Sequence, residues 1–355
     1  MSWASSLTLS FDTVKRKDTV KSMAAIAKTR LYHRKHTGAL MVQRALYSEP
    51  RGQQGICHIV MLYPPAGIAG GDTLTMDLQL DHDSHAVITT PGAGKWYGKD
   101  SVSQKHKTLS HQSATSSLDV DTMAKVDTQV STNLPSNEMA DYASQHVQAT
   151  LAAHARLEWL PQESIIYNEA NMHAVNRFDL ADSSSLLTWE ISVFGRQAYD
   201  EQFLQGRYHT GLNIYRDGKI IVTDRVKQAA QSRWFTSSLG LADQHIYGSF
   251  WAVPSLSDVH DNAALSASPA QSDETALATM KQALARYLDN TIVALRHMIA
   301  EARLPVYCTH NGQAINIRYI GSDVRGCFEA FYQIREVLRH HWWQLEPCRP
   351  RIWDT

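Results

Sequence analysis

Cysteine is scarce in this chain: Cys57, Cys308, Cys327 and Cys348 are the only four, and no two form a C-x-x-C pair. So few, so scattered, exclude a disulfide framework; free thiols in a reducing compartment are the simplest expectation. No stretch approaches the roughly 20 apolar residues that a membrane helix needs. The opening Met1-Ser-Trp-Ala-Ser-Ser-Leu-Thr-Leu-Ser-Phe11 lacks the basic start and the unbroken apolar run of a signal peptide. Neither sign of charge is in excess, with 34 Lys+Arg against 35 Asp+Glu and a net charge of -1. Nucleic acid or an anionic membrane is therefore not expected as the main partner. These absences together lead us to expect a soluble cytoplasmic protein.

Complete catalytic motifs are also missing. There is no G-x-S-x-G elbow and no H-E-x-x-H zinc pair. Gly92-Ala-Gly-Lys95 ends like a phosphate-binding P-loop, but Thr89 stands where its first Gly is required and Trp96 where Ser or Thr should follow the Lys. The 17 histidines are scattered. His33 and His36, like His82 and His85, are three apart, so in a strand they face opposite sides and cannot share a metal. Asp81-His-Asp-Ser-His85 reads as a solvated turn, and the adjacent His340 and His341 as helix surface or packing.

What the chain does have is length and glycine in chosen places. At 355 residues it can bury roughly three-quarters of its unfolded surface, enough for a large core. Tyr63-Pro-Pro-Ala-Gly-Ile-Ala-Gly-Gly-Asp72 is a glycine-paved turn ending in a carboxylate, and Thr89-Thr-Pro-Gly-Ala-Gly-Lys-Trp-Tyr97 follows it closely. Glycines here license backbone conformations closed to other residues, which suggests a site rather than a plain connection.

The dominant period is two. Leu74, Met76, Leu78 and Leu80 alternate with Thr75, Asp77 and Gln79, and Leu187, Trp189, Ile191 and Val193 alternate with Thr188, Glu190 and Ser192, as half-buried strands require. Asp217-Gly218 between Leu212–Arg216 and Lys219–Thr223 is a strong hairpin signal. Helical spacing comes late, in runs opening at Ser272-Asp-Glu-Thr and at Ser322-Asp323, with Gln313–Ile320 alternating as a strand between them. The expected fold is mainly β (α+β), a single domain over residues 1–355 with two C-terminal helices. Two polar segments show neither period, 99–142 and 254–272. We read the first as a long mobile insertion and the second as a linker.

Three carboxylates sit beside apolar strands: Asp72 after the glycine turn, Glu190 in Leu187–Val193, and Asp224 in Ile221–Arg225. Singly, each fits an exposed face or an ion pair; as a trio they suggest a polar passage through a β-body. A carbohydrate-active hydrolase using Glu158 and Glu163 as acid and base is the alternative of a different class.

Seven segments in order resemble the UreD (UreH) family of urease accessory proteins. They are Trp3–Phe11, Gly38–Arg44 with Tyr47–Pro50, Pro64–Asp72, Thr89–Tyr97, Leu157–Glu163, Trp189–Phe203 and Pro350–Thr355. The resemblance implies stacked sheets with a β-helix-like course and a non-enzymatic chaperone. It implies UreF as direct partner, UreG through UreF, and the urease apoprotein beneath, with a homodimer conceivable within the complex. It further implies that no cofactor is held tightly, and that nickel in transit passes Asp72, Glu190 and Asp224. A path of spaced carboxylates suits that task, because oxygen ligands release a dication that a His/Cys cluster would trap.

Overall fold

The computed structural model describes residues 2–15, 27–50, 55–64, 67–98, 141–257, 259 and 273–354. Its organising feature is a coil. The chain passes from β4 (Cys57–Leu62) through the short β5 (Ile68–Ala69) to β6 (Thr73–Leu80), and then repeats the circuit. β7 (His85–Thr89), β8 (Gly94–Tyr97) and β9 (Ala143–Leu151) make the second coil. β10 (Arg156–Leu160), β11 (Ser164–Ile166) and β12 (Asn171–Leu180) make the third, and β13 (Ser185–Phe194) and β14 (Arg207–Arg216) the last. Each strand pairs in parallel with its counterpart one coil on, giving the runs β6-β9-β12-β14, β4-β7-β10-β13 and β5-β8-β11. This is the β-helix-like course.

Stacked turns hold the coils in register. Ser84 N donates to Asp81 O, Ala155 N to Ala152 O and Ser184 N to Ala181 O, each closing the same four-residue corner. Successive corners are then joined by Arg156 N to Ser84 O at 2.8 Å and Ser185 N to Ala155 O at 3.0 Å. Leu80 and Leu151, at equivalent points, are 71 residues apart, whereas Leu151 and Leu180 are 29 apart. The excess of 42 equals the length of 99–140, which lies outside the described residues. Of the polar segment expected over 99–142, the last residue, Tyr142, is buried. Of the linker expected over 254–272, Ser255 and Val259 are buried against the body, and 260–272 lie outside the described residues.

Antiparallel strands flank the coil. β1 (Ala4–Lys15) lies parallel to β6 and carries β2 (Ala27–Thr37) on its free side. β15 (Lys219–Ala229) returns along β14 through the Asp217-Gly218 turn, where both residues have positive φ (45° and 75°). The first sheet is therefore β15-β14-β12-β9-β6-β1-β2. The second is extended from β13 by β16 (Ile246–Val253), β18 (Ile315–Gly321) and β17 (Val306–His310), and ends beyond β4 with β3 (Met41–Val42). A single helical turn, α1 (Arg233–Thr236), precedes the two long helices α2 (Asp273–Glu301) and α3 (Val324–Trp343). Both long helices fall where the helical spacing predicts them.

Two cores result, one between the sheets and one between the second sheet and the helices. Leu74, Met76, Leu78 and Leu80 face the first, with Thr75 and Gln79 exposed, as expected of a half-buried strand. β13 differs. Trp189 and Ile191 pack with Phe250, Phe331 and Ile334 in the helix-covered core, so the polar face of Thr188, Glu190 and Ser192 looks into the interior between the sheets. The alternation is real, but its polar side is not the solvent side, because helices cover the apolar one.

Candidate functional site

The inward polar face of β13 begins the site. Glu190 is directly opposite Ser249 of β16, which is opposite Arg318 of β18, so the three form one row across the second sheet. The first sheet supplies the other wall. Asn176 Nδ2 donates to Glu190 Oε1, and Asp224 of β15 reaches across to Ser249 Oγ (3.2 Å), Trp251 Nε1 (3.0 Å) and Arg318 NH2 (2.7 Å). Arg318 also donates to the Tyr247 hydroxyl and to Asn316 Oδ1 (2.8 Å). Glu190, Asp224, Asn176, Thr210, Ser249 and Trp251 surround one narrow cavity between the sheets. Asn176 Oδ1 is buried and has no partner among the described residues.

Electrostatically the layer is poised. Burial pushes the Glu190 carboxyl up to about 7, the Asp224 charge adds to this, and the Asn176 hydrogen bond and Arg318 oppose it. Near neutral pH this group is divided between its protonated and ionised forms. Arg318 pairs with Asp224, so an ionised Glu190 leaves the layer with one negative charge in excess, which a proton or a cation can neutralise.

The polar interior continues toward the glycine-rich turns. Tyr63 Oη donates to Gln145 Oε1 at 2.9 Å, and its phenol is raised by burial and by the charge of Glu190. Tyr63 also borders a second cavity whose walls are Gly67, Ile68, Gly92, Ala93 and Lys95, so the two glycine-rich segments meet there. At Gly67 (φ 86°) an added Cβ would lie 2.5 Å from the Tyr97 ring and 2.7 Å from Lys95 O; only glycine permits this approach. Gly94–Tyr97 is a strand with Trp96 buried, not the start of a helix, in keeping with the failed P-loop match.

Of the three carboxylates singled out in the sequence, Glu190 and Asp224 meet at the first cavity. Asp72 is used differently. Its carboxylate accepts from Trp3 N (3.1 Å) and Ala69 N (2.9 Å), and its carbonyl from Ser144 N (2.8 Å), tying β1, the glycine turn and β9 together. Asn176, Ser249, Tyr247 and Arg318 escaped sequence reasoning because they come from different strands. One signal was present: Asn176 interrupts the inward series Met172, Ala174, Phe178 and Leu180.

A separate charged cluster lies under helix α3. Glu158 of β10 is wholly buried and meets Arg335 Nε at 2.5 Å, Arg339 Nε at 3.3 Å and His85 Nε2 at 2.8 Å. Burial works against its charge, but Arg335, Arg339 and His85 outweigh it and hold the carboxyl below its ordinary range. His85 is likewise buried, and burial pushes it down to about 4 despite the Glu158 bond; the solvated turn expected at Asp81–His85 holds only for Asp81, His82 and Asp83, with Ser84 and His85 both buried. An ionised carboxylate locked under a helix can neither donate a proton to a glycosidic oxygen nor reach a sugar. The pairing of Glu158 with Glu163 as hydrolytic acid and base is thereby overturned. Glu49, His58 and Cys348 also bring ligand atoms within 4.8 Å of one another, but Arg339 NH2 already sits 2.7 Å from Glu49 Oε1. A guanidinium fills the cation's place there.

The described residues thus form a coiled β-body with an oxygen-rich cavity between its two main sheets. Residues 19–354 match the family model described as UreD urease accessory protein. The chain belongs to the UreD family. It is 50% identical over 359 residues, covering 100% of both chains, to "Urease accessory protein UreD 2" of Psychrobacter cryohalolentis. It is 33% identical to "Urease accessory protein UreD" of Acinetobacter baumannii (93% of this chain, 90% of the relative) and 30% identical to that of Methylobacillus flagellatus (92% and 90%). Among the described residues no helix is long and apolar enough to cross a membrane.

Proposed function

We propose that this protein serves urease maturation as a scaffold that joins UreF, and UreG through UreF, to the urease apoprotein, and that nickel crosses its interior on the way to the urease active site. The observation that supports the passage is the layer between the sheets, where Glu190 and Asp224 face one cavity with amide and hydroxyl oxygens around them and no His or Cys among the described residues of its wall. Oxygen donors bind nickel weakly enough to exchange it, and two carboxylates lower the cost of bringing a dication out of bulk water. Arg318, bound to Asp224, offsets that negative charge when no dication is there. Tyr63 and Gln145 extend the polar file toward the glycine-rich turns.

Asp72 contributes to this reading as the anchor of the turn beside that file, and its removal would disturb β1 and β9 as well as any nickel path. Glu190→Gln combined with Asp224→Asn is therefore the cleaner test. The chain, or this variant, is co-expressed with UreF, UreG and the urease subunits in nickel-supplemented cells. Normal co-purification with a fall of at least fivefold in urease nickel content and activity is expected. Wild-type nickel loading in the double variant would overturn the passage, and full activity without this chain would overturn the role altogether.

A further inference from the structure

The outer face of the first sheet, turned away from the interior cavity, carries histidines on three consecutive strands: His146 on β9, His173 on β12 and His209 on β14. The alternation that points Gln145, Asn176 and Tyr208 inward points these three outward. His173 is directly opposite His209, and His146 is opposite Val175, two residues along from His173. Neighbouring strands lie about 4.8 Å apart. The His146 and His173 ring centroids are 5.5 Å apart, and Tyr142 closes one side at 5.2 Å from His209 and 6.2 Å from His173.

These rings are not committed elsewhere. His173 Nδ1 is buried with no partner among the described residues, a cost that folding alone leaves unexplained. No hydrogen bond to another described residue engages His146 or His209. Burial lowers all three imidazoles, His209 to about 4, with Lys227 adding to the effect at His173 and His209. Neutral rings present lone pairs.

We propose that His146, His173 and His209 form a site on the outer face of the first sheet for one borderline divalent cation, zinc or nickel, bound through three imidazole nitrogens. Imidazole selects such ions over magnesium or calcium, which prefer oxygen. Metal–nitrogen bonds of about 2.0–2.1 Å need the three nitrogens roughly 3–3.5 Å apart. His146 and His173 start with ring centroids 5.5 Å apart and His209 lies directly opposite His173, so binding requires the side chains to rotate until their three nitrogens converge on the ion. Three ligands leave a position open, so the bound ion stays exchangeable. Two cations stand nearby: Lys227 opposite His209, and Arg207, whose NH1 donates to the Tyr142 hydroxyl at 3.4 Å. Their positive charge weakens the binding of a dication. The site lies on the opposite side of the sheet from Glu190, and it stands whether or not nickel crosses the interior.

Calorimetric titration of the full chain with Zn²⁺ and Ni²⁺ at pH 7.5, with Mg²⁺ as the hard-ion comparator, tests it, and Co²⁺ absorption reports the coordination. One equivalent of Zn²⁺ or Ni²⁺ and no Mg²⁺ binding are expected. His173→Ala and His209→Ala should each weaken binding at least tenfold, and Cys348→Ser should leave it unchanged. His146→Gln, at a half-buried position, should weaken binding in a protein whose melting is unaltered, which keeps the test valid if a buried variant misfolds. Absence of stoichiometric binding, wild-type affinity in His146→Gln, or loss of binding in Cys348→Ser would overturn the proposal.

Discussion

Arg335 Nε donates to Glu158 Oε2 at 2.5 Å, joining the last helix to the central strand of the second sheet across 177 residues of chain. Both side chains are wholly buried. Arg339 and His85 converge on the same carboxylate, and Arg339 continues to Glu49, so one charged cluster pins α3 to β10, β7 and the segment before β4.

Removing one partner from such a cluster leaves buried charge uncompensated, which costs about 3–5 kcal/mol. Glu158→Gln is expected to lose that amount, read as a fall in the urea midpoint with an unchanged slope. Arg335→Met should be comparably destabilising. The double variant should lose clearly less than the sum of the two, since it removes the pair rather than orphaning half of it. Additive losses would mean that the two groups act independently.

Glu190 should behave in the opposite sense. Its carboxyl titrates near 7 in the folded protein against about 4.5 when unfolded, so the folded state holds the extra proton. That contribution to stability is complete below pH 4.5 and is lost as pH rises through 7, by at most about 3 kcal/mol. Glu190→Gln is therefore expected to raise stability at pH 8 by about 1–3 kcal/mol and to change it little at pH 4.5. Denaturation curves at the two pH values check this. A variant equally or less stable at pH 8 would show that Arg318 and Asn176 fully support the ionised form.

Two glycines with positive φ offer an internal comparison. An added Cβ at Gly67 would collide with Tyr97 and with Lys95 O, whereas at Gly218 it would meet nothing within 4 Å. Gly218→Ala should cost only the backbone strain, about 1 kcal/mol. Gly67→Ala should cost more than 2 kcal/mol, because the backbone of a neighbouring strand must shift as well. Equal melting temperatures for the two variants would mean that the glycine-rich turns do not depend on their close approach.

The Asp217-Gly218 hairpin, the two late helices and the strand between them were legible in the chain because each is encoded by neighbours in sequence. Periodicity reports which residues share a face, and turn chemistry reports where the chain reverses. The same rules also assigned Glu190 correctly to the face opposite Trp189. They could not say what covers either face: the helices cover the apolar one and the first sheet the polar one.

Neighbouring residues thus specify the β character, the positions of the reversals and the late helices, and the order of the motifs specifies the family. Three-dimensional packing alone makes Glu190 and Asp224 share a cavity while Asp72 anchors a turn, and makes Glu158 a structural ion. It also places His146, His173 and His209 on three consecutive strands of one sheet face. Those relationships depend on which strands become neighbours and which layer covers each face. Parallel coiling makes neighbours of residues some 30 to 70 positions apart, and antiparallel closure brings Arg318 to Asp224 across 94. Such pairings are set by the burial of whole faces, a quantity that no local window of sequence contains.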